Sequence, residues 1–281
     1  MALTATQCRV LDDWFPGHVL VADMSWGLVD TVVQHHRWHG GEVVVKAAGP
    51  GNHHIGREIT GREQWCRPWH GRIGCLLHAS PELNVIAVEY LPGVLVQDST
   101  EALDPELHRQ AGELLARFHR QASRQDPHHE LSLDARALRW LEGPHRIAPA
   151  AERLLRERIA AHAHPVATLV PTHGDWQERN WLVHQGRLFV IDLGRFDWRP
   201  AATDLVRLDR REWRDRPELA EAFVKGYGSD PRQASGWERI NLREAVGTVC
   251  WANQVGDEAF EAHGFTHLAE CLGLDESEVR A

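Results

Sequence analysis

Asp175, Asn180 and Asp192 are three oxygen-bearing side chains whose types and spacing suit work on phosphates. The first two stand five residues apart in His173-Gly174-Asp175-Trp176-Gln177-Glu178-Arg179-Asn180, and the third closes the apolar run Leu188-Phe189-Val190-Ile191. Between them, Trp181, Leu182 and Val183 form one apolar arm and Gln185-Gly186 a turn. With the run before Asp192 as second arm, this predicts a β-hairpin. A hairpin returns its ends to one place, so the three side chains converge. Two carboxylates and an amide oxygen are hard donors that suit Mg²⁺ and the phosphates it carries. For Asp-x4-Asn alone, a polar surface hairpin is the plainer reading. His173-Gly174 before it and Ile191-Asp192-Leu193-Gly194 after it favour a site.

In this order the HGD-x4-N and ID-x-G strings resemble the catalytic core of the aminoglycoside phosphotransferase family, antibiotic kinases built on the protein-kinase fold. The resemblance implies that Asp175 orients and deprotonates an acceptor hydroxyl, while Asn180 and Asp192 hold Mg²⁺. It implies an α+β chain of two lobes. Residues 1–90 would be a small ATP-covering lobe of antiparallel sheet plus helix, 91–94 a hinge, and 95–281 a larger, mainly helical catalytic and acceptor-binding lobe.

The elements that would position these groups begin early. Residues 18–47 read as three strands, His18 to Ala22, the β-branched Leu28 to Val33, and Glu42 to Lys46 with Val43-Val44-Val45. Ser25-Trp26-Gly27, in the first turn, corresponds by resemblance to the turn that covers the phosphates. A lysine closing a Val-rich strand needs a partner for its charge. The helix expected over about 53–66 offers Glu58, with Glu63 as a rival; the resemblance favours a Lys46–Glu58 pair, with Lys46 on the α- and β-phosphates. Two further strands, Ile73 to His78 and Val85 to Tyr90, lead to Glu89-Tyr90-Leu91-Pro92-Gly93, which breaks the pattern as a linker does. By resemblance this is the hinge, and the backbone of Glu89 and Leu91 would bond the adenine edge.

Asp104-Pro105 caps a helix that carries Leu107, Ala111, Leu114, Leu115 and Phe118 at helical spacing and ends at His119. Further helices are expected near 146–162, from Pro217 to Lys225 with a stop at Gly226, and over about 237–255. Asp204 matches the family's aspartate that braces the catalytic loop, with His173 also in a supporting role. The chain lacks the Gly-Asp-Pro that commoner members carry before this helix, which leaves the local path of 194–200 open.

The 281 residues, 43% hydrophobic and 25% charged, suit a soluble globular protein of one large or two coupled domains. A net charge of -9 argues against a nucleic-acid partner and is compatible with a cationic one. No apolar stretch approaches the roughly 20 residues of a membrane span, and no secretory signal is visible at the start. Five scattered cysteines without a C-x-x-C pair fit reduced thiols in the cytoplasm. The His35-His36, His53-His54 and His128-His129 doublets form no H-E-x-x-H, which speaks against a zinc hydrolase.

The function implied is Mg·ATP- or Mg·GTP-dependent phosphorylation of a hydroxyl on a cationic small molecule. An aminoglycoside, or a basic cyclic peptide such as capreomycin or viomycin, is the first expectation. A phosphate would cancel positive charge on the drug and loosen its hold on ribosomal RNA. Asp257 and Glu258, together with Glu178 and Trp176, are expected to meet the acceptor, and Trp251 could add an aromatic wall. Arg179 is either a second cation near the phosphates or the partner of an acid elsewhere. A metabolic kinase for choline, homoserine, a methylthio-sugar or a fructosamine would share every ATP-site residue. A nucleotide-binding module without catalysis would have no need of Asp175. The oligomeric state is open.

Overall fold

In the computed structural model, which describes residues 2–27 and 30–281, the N-terminal part runs α1 (Ala5–Trp14), β1 (Val19–Asp23), β2 (Thr31–Trp38), β3 (Gly41–Ala48), α2 (His54–Trp65), β4 (Leu76–Ser80), β5 (Val85–Glu89) and β6 (Val94–Leu95). Next come α3 (Pro105–His119), β7 (Arg124–Asp126), α4 (His129–Trp140), α5 (Pro149–Ala160), β8 (Ala167–Thr172), β9 (Trp181–His184), β10 (Arg187–Val190) and β11 (Asp197–Arg199). The chain ends on α6 (Val206–Arg210), α7 (Pro217–Tyr227), α8 (Trp237–Val255), α9 (Glu258–Leu272) and α10 (Glu276–Val279). Leu28 and Val29, where the second expected strand begins, lie outside the described residues. Contacts divide the chain into two compact units. One comprises Met1–Ala122, Pro171–Trp198 and Asp215–Ser229; the other Ser123–Val170, Arg199–Arg214 and Asp230–Ala281.

The first unit is built on an antiparallel five-stranded sheet in the order β1-β2-β3-β5-β4. Alternation along β3 sorts its side chains onto two faces. Val43, Val45 and Ala47 pack with Leu11 and Phe15 of α1, while Val44 and Ala48 join Ile55 and Ile59 of α2. Lys46 has the same parity as Val44 and Ala48, so the pleat alone turns it toward α2. On α2 the buried positions Ile55, Glu58, Ile59 and Arg62 recur at helical spacing on one face. The unforeseen helix α1 starts with a capping box between Thr4 and Gln7, and Gln7 Nε2 donates to Leu83 O at 2.9 Å, tying helix to sheet.

The predicted hairpin forms as β9 and β10, with Arg187 opposite His184 and Val190 opposite Trp181. Gln185 and Gly186 both take left-handed φ, 50° and 71°, as a two-residue turn matched to strand twist requires. Helix α3 keeps its expected bounds, with the Asp104 carboxylate accepting from Glu106 N. Helix α7 runs past its expected stop at Gly226 and ends at Gly228, where φ is 93°. Gly226 serves a different purpose: a Cβ there would lie 1.9 Å from Arg109 O, and one at Gly112 would lie 2.1 Å from Phe223 O. The two glycines let α3 and α7 cross with backbones in contact.

In the second unit α4, α5, α8, α9 and α10 enclose a core that includes Leu141, Leu155, Val246, Val249, Phe265 and Leu268. Helix α4 was not expected from the sequence, and α9 falls in a stretch expected to be helical but given no bounds. Among the described residues no helix is long and apolar enough to cross a membrane.

The α3–α7 crossing yields a stability test. Gly226→Ala forces the backbones apart and costs about 1–3 kcal/mol, the usual range for overpacking. Gly56→Ala, on α2 with open space at its Cβ, gains up to about 1 kcal/mol from helix propensity. Urea unfolding of the two variants should therefore move in opposite directions.

Candidate active site

Lys46 Nζ lies 2.8 Å from Glu58 Oε2 and 3.2 Å from Asp192 Oδ1. The pair is well shielded, with the Lys46 side chain 11% and that of Glu58 2% exposed. Glu58 Oε1 is taken by Arg62, whose Nε and a terminal nitrogen donate at 2.9 and 2.8 Å. Arg62 also donates to Gly74 O. Every charge in this buried cluster is thus answered, which its desolvation demands. The rival Glu63 is exposed. Burial would depress the Lys46 ammonium, but Asp192 and Glu58 outweigh it and raise its pKa above the ordinary value. Burial likewise pushes Asp192 up, yet Lys46 and the Gly194 N–H bring its carboxyl down from 3.8 to about 2.

Asp175 is buried in the loop after β8, and its carboxylate is held from within that loop. Gln177 Nε2 donates to Oδ1 at 2.5 Å, while Arg179 and Asn180 Nδ2 donate to Oδ2 at 2.6 and 3.0 Å. Asn180 Nδ2 also reaches Asp175 O at 2.7 Å. With its amide nitrogen so committed, Asn180 has its Oδ1 left as a hard donor. Two links join this loop to the Asp192 segment: Ile191 N donates to Asn180 O at 3.0 Å, and His173 Nε2 bonds Ile191 O at 3.0 Å. His173 Nδ1 accepts from Asp175 N at 3.3 Å, which sets the tautomer.

Asp192 itself takes a left-handed φ of 62°, an uncommon conformation for a residue with a Cβ. The Gly194 N–H bond to Oδ1 at 3.0 Å supports it, and His54 Nδ1 bonds Gly194 O at 2.7 Å, fastening the segment to α2. Among the described residues no three His, Cys, Asp or Glu side chains could hold a metal together. Asn180 Oδ1 and the half-exposed, ionised Asp192 are hard oxygen donors on segments that hydrogen bonds join. That set fits Mg²⁺, which keeps its remaining positions for water and phosphate oxygens.

Other expected residues fall in varied places. Ser25 anchors its turn: its hydroxyl accepts from Val33 N at 3.0 Å and its N–H donates to Asp23 Oδ1. Glu89 closes β5 with its N–H on Cys75 O, and the Leu91 N–H, just beyond, has no protein acceptor among the described residues. Asp204 is buried in the second unit within a short 3₁₀ turn, Ala201–Leu205. Asp257 caps α9 by accepting from Phe260 N, Glu258 is that helix's exposed first residue, and Trp251 rests edge-on against Phe260. Two acceptor expectations need correction. Trp176 is 1% exposed, packed on Trp69 and Trp181, so it is core and not the wall of an open site. Glu178 turns inward, 3.3 Å from the buried His108. Arg62 and Gln177 escaped the sequence reading, although Arg62 stands one helical turn from Glu58.

The sheet, the helix pairing its central lysine, the loop with Asp175 and Asn180 and the Asp192 segment after β10 make up a protein-kinase-like α+β fold, that of a small-molecule kinase, an ATP-dependent phosphotransferase. The chain belongs to the phosphotransferase enzyme family (APH), whose model matches residues 70–240. No curated protein matches it in sequence. Among solved structures, it resembles macrolide 2'-phosphotransferase MphH from Brachybacterium faecium (17% identity, 89% of this chain and 91% of that one, TM-score 0.60). It also resembles choline kinase LicA from Streptococcus pneumoniae (16%, 96% and 99%, TM-score 0.67). A third likeness is to a thermostable mutant of aminoglycoside phosphotransferase APH(4)-Ia, solved with ADP and hygromycin B (13%, 94% and 97%, TM-score 0.66).

The ion cluster makes a pH-dependent prediction. Because the Asp192 pKa is depressed, its contribution to stability is complete above the ordinary carboxylate range and fades as pH falls through about 2. Lys46→Met removes the attraction and leaves burial to raise that pKa. Urea unfolding should show the largest wild-type advantage at neutral pH, shrinking as pH drops below about 4. Carboxyl-carbon NMR should place the variant's Asp192 midpoint above that of the wild type.

Proposed function

We propose that this protein transfers the γ-phosphoryl group of Mg·ATP, or Mg·GTP, to a hydroxyl of a cationic small-molecule antibiotic, an aminoglycoside or a basic cyclic peptide of the capreomycin and viomycin type. The observation that carries the reading is Lys46 held by both Glu58 and Asp192, beside a loop whose hydrogen bonds tie Asp175 and Asn180 to the Asp192 segment. Residues 1–90 would cover the nucleotide, 91–94 form the hinge, and 95–281 carry the base and the acceptor. The Leu91 N–H and Glu89 backbone would meet the adenine edge, with Ser25 in the turn above the phosphates. Asp257 and Glu258 are the acceptor carboxylates we propose. The chain would work in the cytoplasm, where nucleotide triphosphates are available.

In the reaction the acceptor oxygen bonds to the γ-phosphorus as the bond from that phosphorus to the β–γ bridging oxygen breaks, its electron pair leaving with ADP. The hydroxyl proton passes to Asp175 and then to solvent. Asp175 is fixed by Gln177 and Asn180, so it needs little reorganisation to accept that proton. Lys46 neutralises α- and β-phosphate charge, and Glu58 keeps the ammonium from drifting. Asn180 and Asp192 would hold Mg²⁺, which would supply charge neutralisation for the phosphates.

Two experiments test this reading. Asp175→Asn should retain nucleotide binding and lose about 10²–10⁴-fold in turnover, whereas Asp192→Asn should lose Mg²⁺-dependent nucleotide binding as well; equal loss of ATP affinity in both would refute the division of roles. Incubating the protein and Mg·ATP with cationic antibiotics, choline and homoserine, followed by mass spectrometry, should show an antibiotic gaining one phosphate. Phosphate on choline or homoserine alone would assign a metabolic kinase.

A further inference from the structure

Arg179 stands between two parts of the site. Its guanidinium donates to Asp175 Oδ2 at 2.6 Å, and its Cζ lies 5.8 Å from the centre of the Trp26 ring. Trp26 belongs to the turn after β1 and is 45% exposed. The Arg179–Asp175 pair is lopsided in burial: the Arg179 side chain is 34% exposed and that of Asp175 7%. An incoming anion therefore meets the guanidinium before it meets the carboxylate. The fork of an arginine recognises phosphate oxygens as well as carboxylate, and a phosphoryl group brings more negative charge than one aspartate. Lys46, by contrast, is engaged by Glu58 and Asp192.

We infer that Arg179 is a nucleotide-responsive positioning residue: it latches the Asp175 carboxylate in the ligand-free protein and transfers to the γ-phosphate when nucleotide binds, opening Oδ2 to the acceptor hydroxyl. This rests on the kinase reading above. Trp26 provides an aromatic face along which the cation can shift without full rehydration. Asp175 keeps its orientation after the exchange, because Gln177 still donates to Oδ1 and Asn180 to Oδ2. The latch thus couples occupancy of the γ-position to availability of the base. It would restrain Asp175 from activating water or acceptor before ATP is in place.

The test compares ATP and ADP affinities by titration calorimetry in Mg²⁺, a readout independent of turnover. Arg179→Gln should lower the ratio of ATP to ADP affinity by about tenfold, the weight of one charge-assisted contact, with ADP affinity nearly unchanged. Arg179→Lys should restore part of the ratio. Asp175→Asn, which removes the competing carboxylate, should raise it, an effect that a merely structural arginine would not produce. An unchanged ratio in Arg179→Gln, or a lower one in Asp175→Asn, overturns the latch while leaving the kinase reading intact. Failure of the wild-type protein to bind either nucleotide overturns both.

Discussion

The chain of charges from the buried Arg62, Glu58 and Lys46 to the half-exposed Asp192 is the constraint on which the first unit depends. It joins α2, the central strand β3 and the segment after β10, three pieces far apart in sequence. The three shielded charges, Arg62, Glu58 and Lys46, are tolerable there only with their neighbours in place. The cluster therefore does two things at once. It selects one arrangement of helix, sheet and loop, and it leaves an ammonium and an ionised carboxylate side by side, the pair on which the proposed nucleotide site rests.

The same economy runs through the Asp175 loop. The Asp175 carboxylate is held by Gln177, Arg179 and Asn180 of its own loop, and the loop is tied to the backbone next to Asp192, so the direction of the carboxylate is set by folding. The left-handed backbone at Asp192 belongs here too. An energetically uncommon conformation persists because Gly194, His54 and Lys46 together hold it.

Much of this site was legible in the sequence because strong local rules coincide there. The β9–β10 hairpin follows from two apolar arms around Gln185-Gly186, and the facing of Lys46 toward α2 follows from strand parity. Asp104-Pro105 marks the start of α3 without ambiguity. Other features resisted because residue type does not reveal direction. Trp176 and Glu178 sit beside Asp175 in sequence yet point into the core, drawn by Trp69, Trp181 and His108. Gly226 reads as a helix stop, whereas the close passage of α3 decides its identity. The start of α9 was missed because Asp257 and Glu258 read as binding acids, although an N-cap aspartate followed by glutamate is also how a helix begins.

A crystal structure with Mg²⁺ and a non-hydrolysable ATP analogue tests the central claim most directly. The account predicts a metal ligated by Asn180 Oδ1 and Asp192, with the Lys46–Glu58 contact unbroken and Lys46 on the phosphates. A nucleotide bound away from Lys46, or a metal that ignores Asn180 and Asp192, would contradict it.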